Sequence, residues 1–119
     1  MKLLLISAVI LLTLDLLFLY ANQTMFQKQV ALVQHSPLRM RMASAVVCYI
    51  LLIFGLYYFI LLQKRRVLDA VLLGLVIYGV YETTTYALLS NWSLQTVIID
   101  TLWGGALLGL TTALTYKLV

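Results

Sequence analysis

VLDAVLLGLVIYGVYETTTYALL, residues 67–89, is one apolar segment interrupted only by Asp69 near its start and Glu82 inside it. A helix that crosses a bilayer needs about 20 mostly apolar residues, within a range of roughly 17–25. The hydrocarbon interior offers no partners for free backbone groups, so a run of this length must be helical. Reading outward gives three more such runs, at residues 3–20, 42–62 and 94–118. None of the four alternates with the two-residue period of a barrel strand. The sequence therefore predicts an all-α, polytopic membrane protein, a bundle of four transmembrane helices in a single domain over residues 1–119.

Composition points the same way. Of 119 residues, 64% are hydrophobic and 10% charged, against roughly 25% charged in soluble domains. Mean hydropathy is +1.04. A chain this small cannot hide so much apolar surface in a soluble core, and disorder would need the opposite composition. The single cysteine, Cys48, excludes an intrachain disulfide framework and a cysteine-based zinc site. The formal charge of +4 comes from basic residues scattered through short polar gaps, so nucleic acid is not expected as a partner. The expected partners are the lipid bilayer and a homo-oligomer or larger membrane assembly.

Lys2 and the leucines after it resemble the start of a signal peptide. Asp15 inside the apolar stretch, and Leu19 where a cut after Ala21 would want a small residue, argue for a retained span. The segment from Asn22 to Arg41 is long and polar and holds the only proline, Pro37. Met25, Phe26, Val30 and Val33 fall near one helical face there, so it reads equally as a short interfacial helix or as ordinary loop. Gln63–Arg66 is a tight basic turn, and Ser90–Gln95 a short neutral one carrying Trp92. Lys2, Lys64, Arg65, Arg66 and Lys117 fall on one side; Lys28, Arg39 and Arg41 fall on the other. Loop charge of this kind predicts cytoplasmic termini. The triplets at Asn22 and Asn91 match a glycosylation pattern but hug the membrane, and they are read as chance matches.

Asp15, Glu82 and Asp100 each lie inside an expected span, where ionisable groups are costly and usually face the bundle interior. Asp15 is five residues before Tyr20, Glu82 seven before Leu89, and Asp100 six after Leu94. At 1.5 Å per residue all three sit roughly 8–10 Å below the same boundary. This common depth depends only on helix order, and it predicts one buried acidic layer. Tyr78, Thr85 and Tyr86 share the Glu82 face, and the run through Thr83, Thr84 and Thr85 is unusually polar for mid-membrane. Trp103 and Gly104 share the Asp100 face. A further stripe of Gly105, Gly109 and Ala113 suits close helix packing, within one molecule or between copies. No Lys or Arg lies within the spans. The nearest candidate counter-ions are Arg39 and Arg41, whose long side chains could reach down from the interface. His35 reads as a loop residue, and Cys48 as a small core residue.

No catalytic residue is assigned. The chain has no P-loop, G-x-G-x-x-G, H-E-x-x-H or G-x-S-x-G pattern. The reading expects no metal site and no cofactor, and it leans away from an enzyme.

Leu14-Asp15, Tyr81-Glu82-Thr83-Thr84 and Asp100-Thr101-Leu102-Trp103-Gly104 together resemble the small predicted membrane proteins grouped as domain of unknown function 2177, found in bacteria and some large DNA viruses. The resemblance covers nearly the whole chain, and the Asp-x-x-Trp-Gly match is its most specific piece. The family typically has Asp at the Glu82 position, Asn near Thr85 and Trp near Phe18. The resemblance implies four membrane helices and draws attention to the same three acids. It implies no reaction. Three functions are expected in order: a structural or accessory membrane component, of a bacterial or viral membrane; a proton or cation pathway through Asp15, Glu82 and Asp100; and a lipid-binding or lipid-modifying protein.

Overall fold

The computed structural model of the chain describes residues 2–34 and 41–119. All regular structure among them is helical: α1 (Lys2–Ala21), α2 (Gln23–Gln34), α3 (Met42–Leu56), α4 (Val67–Leu88) and α5 (Leu94–Leu118). A π-helical segment, Tyr57–Leu61, continues α3. Four helices are long and apolar enough to cross a membrane: Lys2–Ala21, Met42–Leu61, Val67–Leu88 and Leu94–Leu118. Each begins and ends within one residue of an apolar run, and Leu89, the last residue of the third run, is extended backbone after α4. The ambiguous segment after α1 is helical over Gln23–Gln34. His35, Pro37 and Arg39 lie outside the described residues.

The helix ends follow local chemistry. Ser93 begins α5 by accepting the Thr96 backbone N–H at 3.1 Å, the usual way a hydroxyl satisfies a free first-turn donor. Asp69 accepts the Arg66 N–H at 3.3 Å in the first turn of α4, where a negative charge also suits the helix dipole. Between the π segment and α4 the chain reverses over Leu62–Arg66. The reversal uses i→i−5 bonds, from Leu62 N to the Tyr57 carbonyl (2.8 Å) and from Arg65 N to the Ile60 carbonyl (2.9 Å), and it puts Lys64 at a φ of 53°.

α5 is the central helix. Half of its apolar window is buried, against 17% for each of the other three. It packs most extensively on α4 and next on α1, and α1 in turn meets α3 and the π segment. None of the extensive interfaces joins α3 or the π segment to α4. Leu11, Leu56, Ile60, Leu61, Ala70, Leu107 and Leu108 form one shared apolar cluster.

Small residues set the α4–α5 distance. A Cβ built on Gly74 would collide with the Gly104 carbonyl, and one on Gly104 would collide with the Tyr78 ring. A Cβ on Gly105 would come within 2.8 Å of Leu75, and Gly109 sits against Val71. The stripe expected at Gly105, Gly109 and Ala113 therefore serves packing within the molecule at its two glycines, while Ala113 is exposed. Membrane helices associate through such close contacts because lipid tails are as apolar as leucine and supply no hydrophobic drive.

Candidate functional site

Asp15 sits on the inward side of α1 at 6% exposure. One carboxylate oxygen accepts the Trp103 indole N–H of α5 at 2.9 Å. The other accepts the Tyr49 hydroxyl of α3. One acid thus fastens three helices. The Trp103 ring is held by stacking on Phe18 of α1, with centroids 4.5 Å apart and planes 2° from parallel. Phe18 meets Phe26 of α2 edge-on at 6.0 Å. Asp15 and Phe18 share a face because they are three residues apart, so α1 grips Trp103 by both its ring and its N–H.

Glu82 is 1% exposed. It accepts the indole N–H of Trp92, from the α4–α5 turn, at 2.9 Å. Asp100 of α5, 9% exposed, lies close to the Glu82 carboxyl, with Asp15 also nearby. Glu82 and Asp100 therefore form a close pair, while Asp15 stands beside it on its own donors. Among the described residues no three acidic, His or Cys side chains are placed to hold a metal ion.

The structure places the remaining expected residues less uniformly. The Tyr78 ring lies against Gly104, four residues from Glu82 and Asp100 respectively. Thr85 turns its hydroxyl back to the Tyr81 carbonyl at 2.8 Å. Thr84 is exposed, and Tyr86 is 48% exposed. The polar run after Glu82 thus does not line the layer. Successive helical residues turn by a large angle, and threonine hydroxyls that stay within an apolar setting bond the carbonyl one turn back, as Thr83 also does to Gly79 at 2.6 Å. Arg41 is exposed and makes no ion pair among the described residues. Neutral indole and phenol donors take the place expected for arginine. Cys48 is exposed rather than in the core.

Sequence reasoning missed Tyr49 and Gln29, and it placed Trp92 only in a short neutral turn. Tyr49 lies seven residues into α3, roughly 10 Å deep at 1.5 Å per residue, so the depth arithmetic applied to tyrosines would have found it. Gln29 of α2 is buried at 4% exposure. Its amide N–H donates to the Asn91 carbonyl at 2.6 Å. Its carbonyl oxygen accepts from the Ser93 N–H at 2.9 Å and from the Thr96 hydroxyl at 3.0 Å. Asn91 returns a bond to the Leu32 carbonyl at 3.0 Å. The helix after α1 is therefore latched to the α4–α5 turn by the Gln29 and Asn91 amides. Gln29→Ala is expected to free α2 from that turn, because a hydrophobic side chain leaves the Ser93 and Thr96 donors without their acceptor. Hydrogen exchange over residues 23–34 should then rise about tenfold, for a loss of roughly 1.4 kcal/mol. Unchanged exchange would mean that the latch does not hold the helix.

The sequence model of a family described as "Predicted membrane protein (DUF2177)" matches residues 1–117. No curated protein matches the chain, and no solved structure does.

Proposed function

The chain belongs to the DUF2177 family of predicted membrane proteins, and on that premise we propose that it is a structural or accessory membrane component whose acidic layer fastens its helices. The observation that carries this reading is that each acid is engaged from another element. Asp15 takes donors from α3 and α5, Glu82 from the α4–α5 turn, and Asp100 meets Glu82 on α4. Buried acids used this way hold helices in register, since each must keep its partners or strand a polar group in an apolar interior. The reading sets both termini on the cytoplasmic side, supported by the positive charge of Lys2, Lys64, Arg65, Arg66 and Lys117 at one end. It takes as partner a second copy or a larger membrane assembly.

A second reading, a proton site, is favoured by the closeness of two buried carboxyls, Glu82 and Asp100. Asp15→Asn, Glu82→Gln and Asp100→Asn in one chain separate the two. Amides keep the shape and much of the bonding but carry no proton to pass on. On the structural reading the triple variant keeps the helical content and the native-membrane assembly of the wild type, and proton flux into liposomes is the same for both. Wild-type flux abolished by the triple variant would overturn that reading in favour of the proton site. A monodisperse monomer without any partner from native membranes would overturn the accessory role.

A further inference from the structure

The end of the molecule opposite the acidic layer carries a groove that neither reading uses. It is a cleft of about 390 Å³ between the π segment and α4, lined by Phe59, Ile60, Leu72, Leu73 and Val76, with Arg65 and Asp69 at its mouth. It exists because no extensive interface joins α3 or the π segment to α4, although a short turn connects them. From Asp69 to Val76 it runs along α4 for roughly 10 Å at 1.5 Å per residue. Phe59, Leu72 and Val76 are 56%, 51% and 62% exposed, so the groove opens sideways.

Charge at the mouth is unbalanced. Lys64, Arg65 and Arg66 are consecutive, and Asp69 is the acid beside them. It pairs with Arg65 at 3.8 Å and Arg66 at 3.5 Å, both long and exposed contacts of the kind that contribute little and exchange readily. Asp69 thus steers two guanidinium groups to the groove mouth without neutralising them. Tyr116 of α5 fixes the turn from the other side by donating to the Arg65 carbonyl at 2.6 Å. Cations at the head of an apolar channel match a phosphate above a hydrocarbon chain.

We propose that this groove binds one acyl chain of an anionic phospholipid, with the headgroup phosphate held by Lys64 and Arg65. A second copy is the less fitting occupant. A two-fold axis along the membrane normal through the groove would bring two Lys64–Arg66 turns together at one level, and like charges so placed repel. The site is separate from the acidic layer, so its fate does not depend on the function proposed above.

The test uses the full chain in neutral detergent, with phosphatidylglycerol, phosphatidylcholine or inorganic phosphate added, read by native mass spectrometry and thermal unfolding. Wild type is expected to retain phosphatidylglycerol in preference to phosphatidylcholine and to be stabilised by it, with no effect of inorganic phosphate. Lys64→Gln with Arg65→Gln, both exposed and outside the helix contacts, should weaken phosphatidylglycerol retention about thirtyfold, the product of two cations near an anionic headgroup. Leu72→Trp should fill the channel and lower retention of both lipids. Equal retention of the two lipids by wild type would overturn the proposal. So would stabilisation by phosphate alone, an unchanged preference in the double variant, or a dimer that Leu72→Trp abolishes while lipid retention persists.

Discussion

Gly74→Ala is expected to be among the most damaging single-methyl additions in this chain. The new Cβ would meet the Gly104 carbonyl and come within 2.9 Å of the Gly105 Cα. Both are backbone atoms of α5, so no side chain can turn aside to make room. Either α4 and α5 separate at this point, or one of them bends. Overpacking of this kind costs about 1–3 kcal/mol, and backbone on both sides puts Gly74 at the upper end. Gly79→Ala, on the same helix, is the control. Its Cβ would meet only the Thr101 methyl at 3.6 Å, an ordinary contact, and alanine favours helix over glycine by up to about 1 kcal/mol. Thermal unfolding in detergent should therefore fall clearly for Gly74→Ala and hold or rise for Gly79→Ala. Equal effects would show that the glycine contact does not set the α4–α5 distance.

The second large effect is expected at Asp15. Asp15→Leu removes the acceptor of two buried donors, the Trp103 indole and the Tyr49 hydroxyl. The phenol can rotate toward another acceptor, but the indole N–H is fixed by the stack on Phe18. Leaving a buried donor unsatisfied costs about 1–3 kcal/mol, so a loss of at least about 2 kcal/mol is expected. Asp15→Asn should cost less than about 1 kcal/mol, because its oxygen can accept from Trp103 while its amide donates to the phenol oxygen. Adding Trp103→Phe and Tyr49→Phe to Asp15→Leu should recover much of the loss, since removing both partners strands nothing. Unfolding midpoints of the three variants check this ordering. If the leucine variant matched the asparagine variant, the fastening role of Asp15 would fail.

These two sites mark where sequence reading succeeded and where it stopped. Asp15, Glu82 and Asp100 stood out because acids are costly in apolar spans, and their common depth followed from helix order alone. All three are buried. Their partners were not legible. Arg39 and Arg41 looked like the natural counter-ions by charge, yet Arg41 is exposed, and Asp15 and Glu82 take indole and phenol donors from other elements. Tyr49, Trp92 and Trp103 resemble ordinary membrane aromatics in sequence, and only their meeting with a carboxylate separates them from the rest. The Thr83–Thr85 run misled for a related reason. Its polarity suggested an inward face, but hydroxyls can satisfy themselves on their own helix, so polarity there carried no direction. Gln29 lies on the same face of α2 as Met25, Phe26, Val30 and Val33, and that apolar pattern drew attention away from the one amide within it.

The sequence by itself determined the number, length and order of the long helices. That follows from the solvent: a bilayer demands about 20 apolar residues per crossing and forces each segment to close its own backbone bonds, so the span is written locally. Only the tertiary structure decided that α5 is central, that Gly74 meets Gly104, and that Asp15 joins three helices while Glu82 and Asp100 pair. In a soluble helix the apolar stripe would point to the core. Here leucine and valine face lipid and core alike, so periodicity loses its direction. What fixes the arrangement is where glycines allow backbones to touch and where buried polar groups find donors, and both are properties of two helices at once.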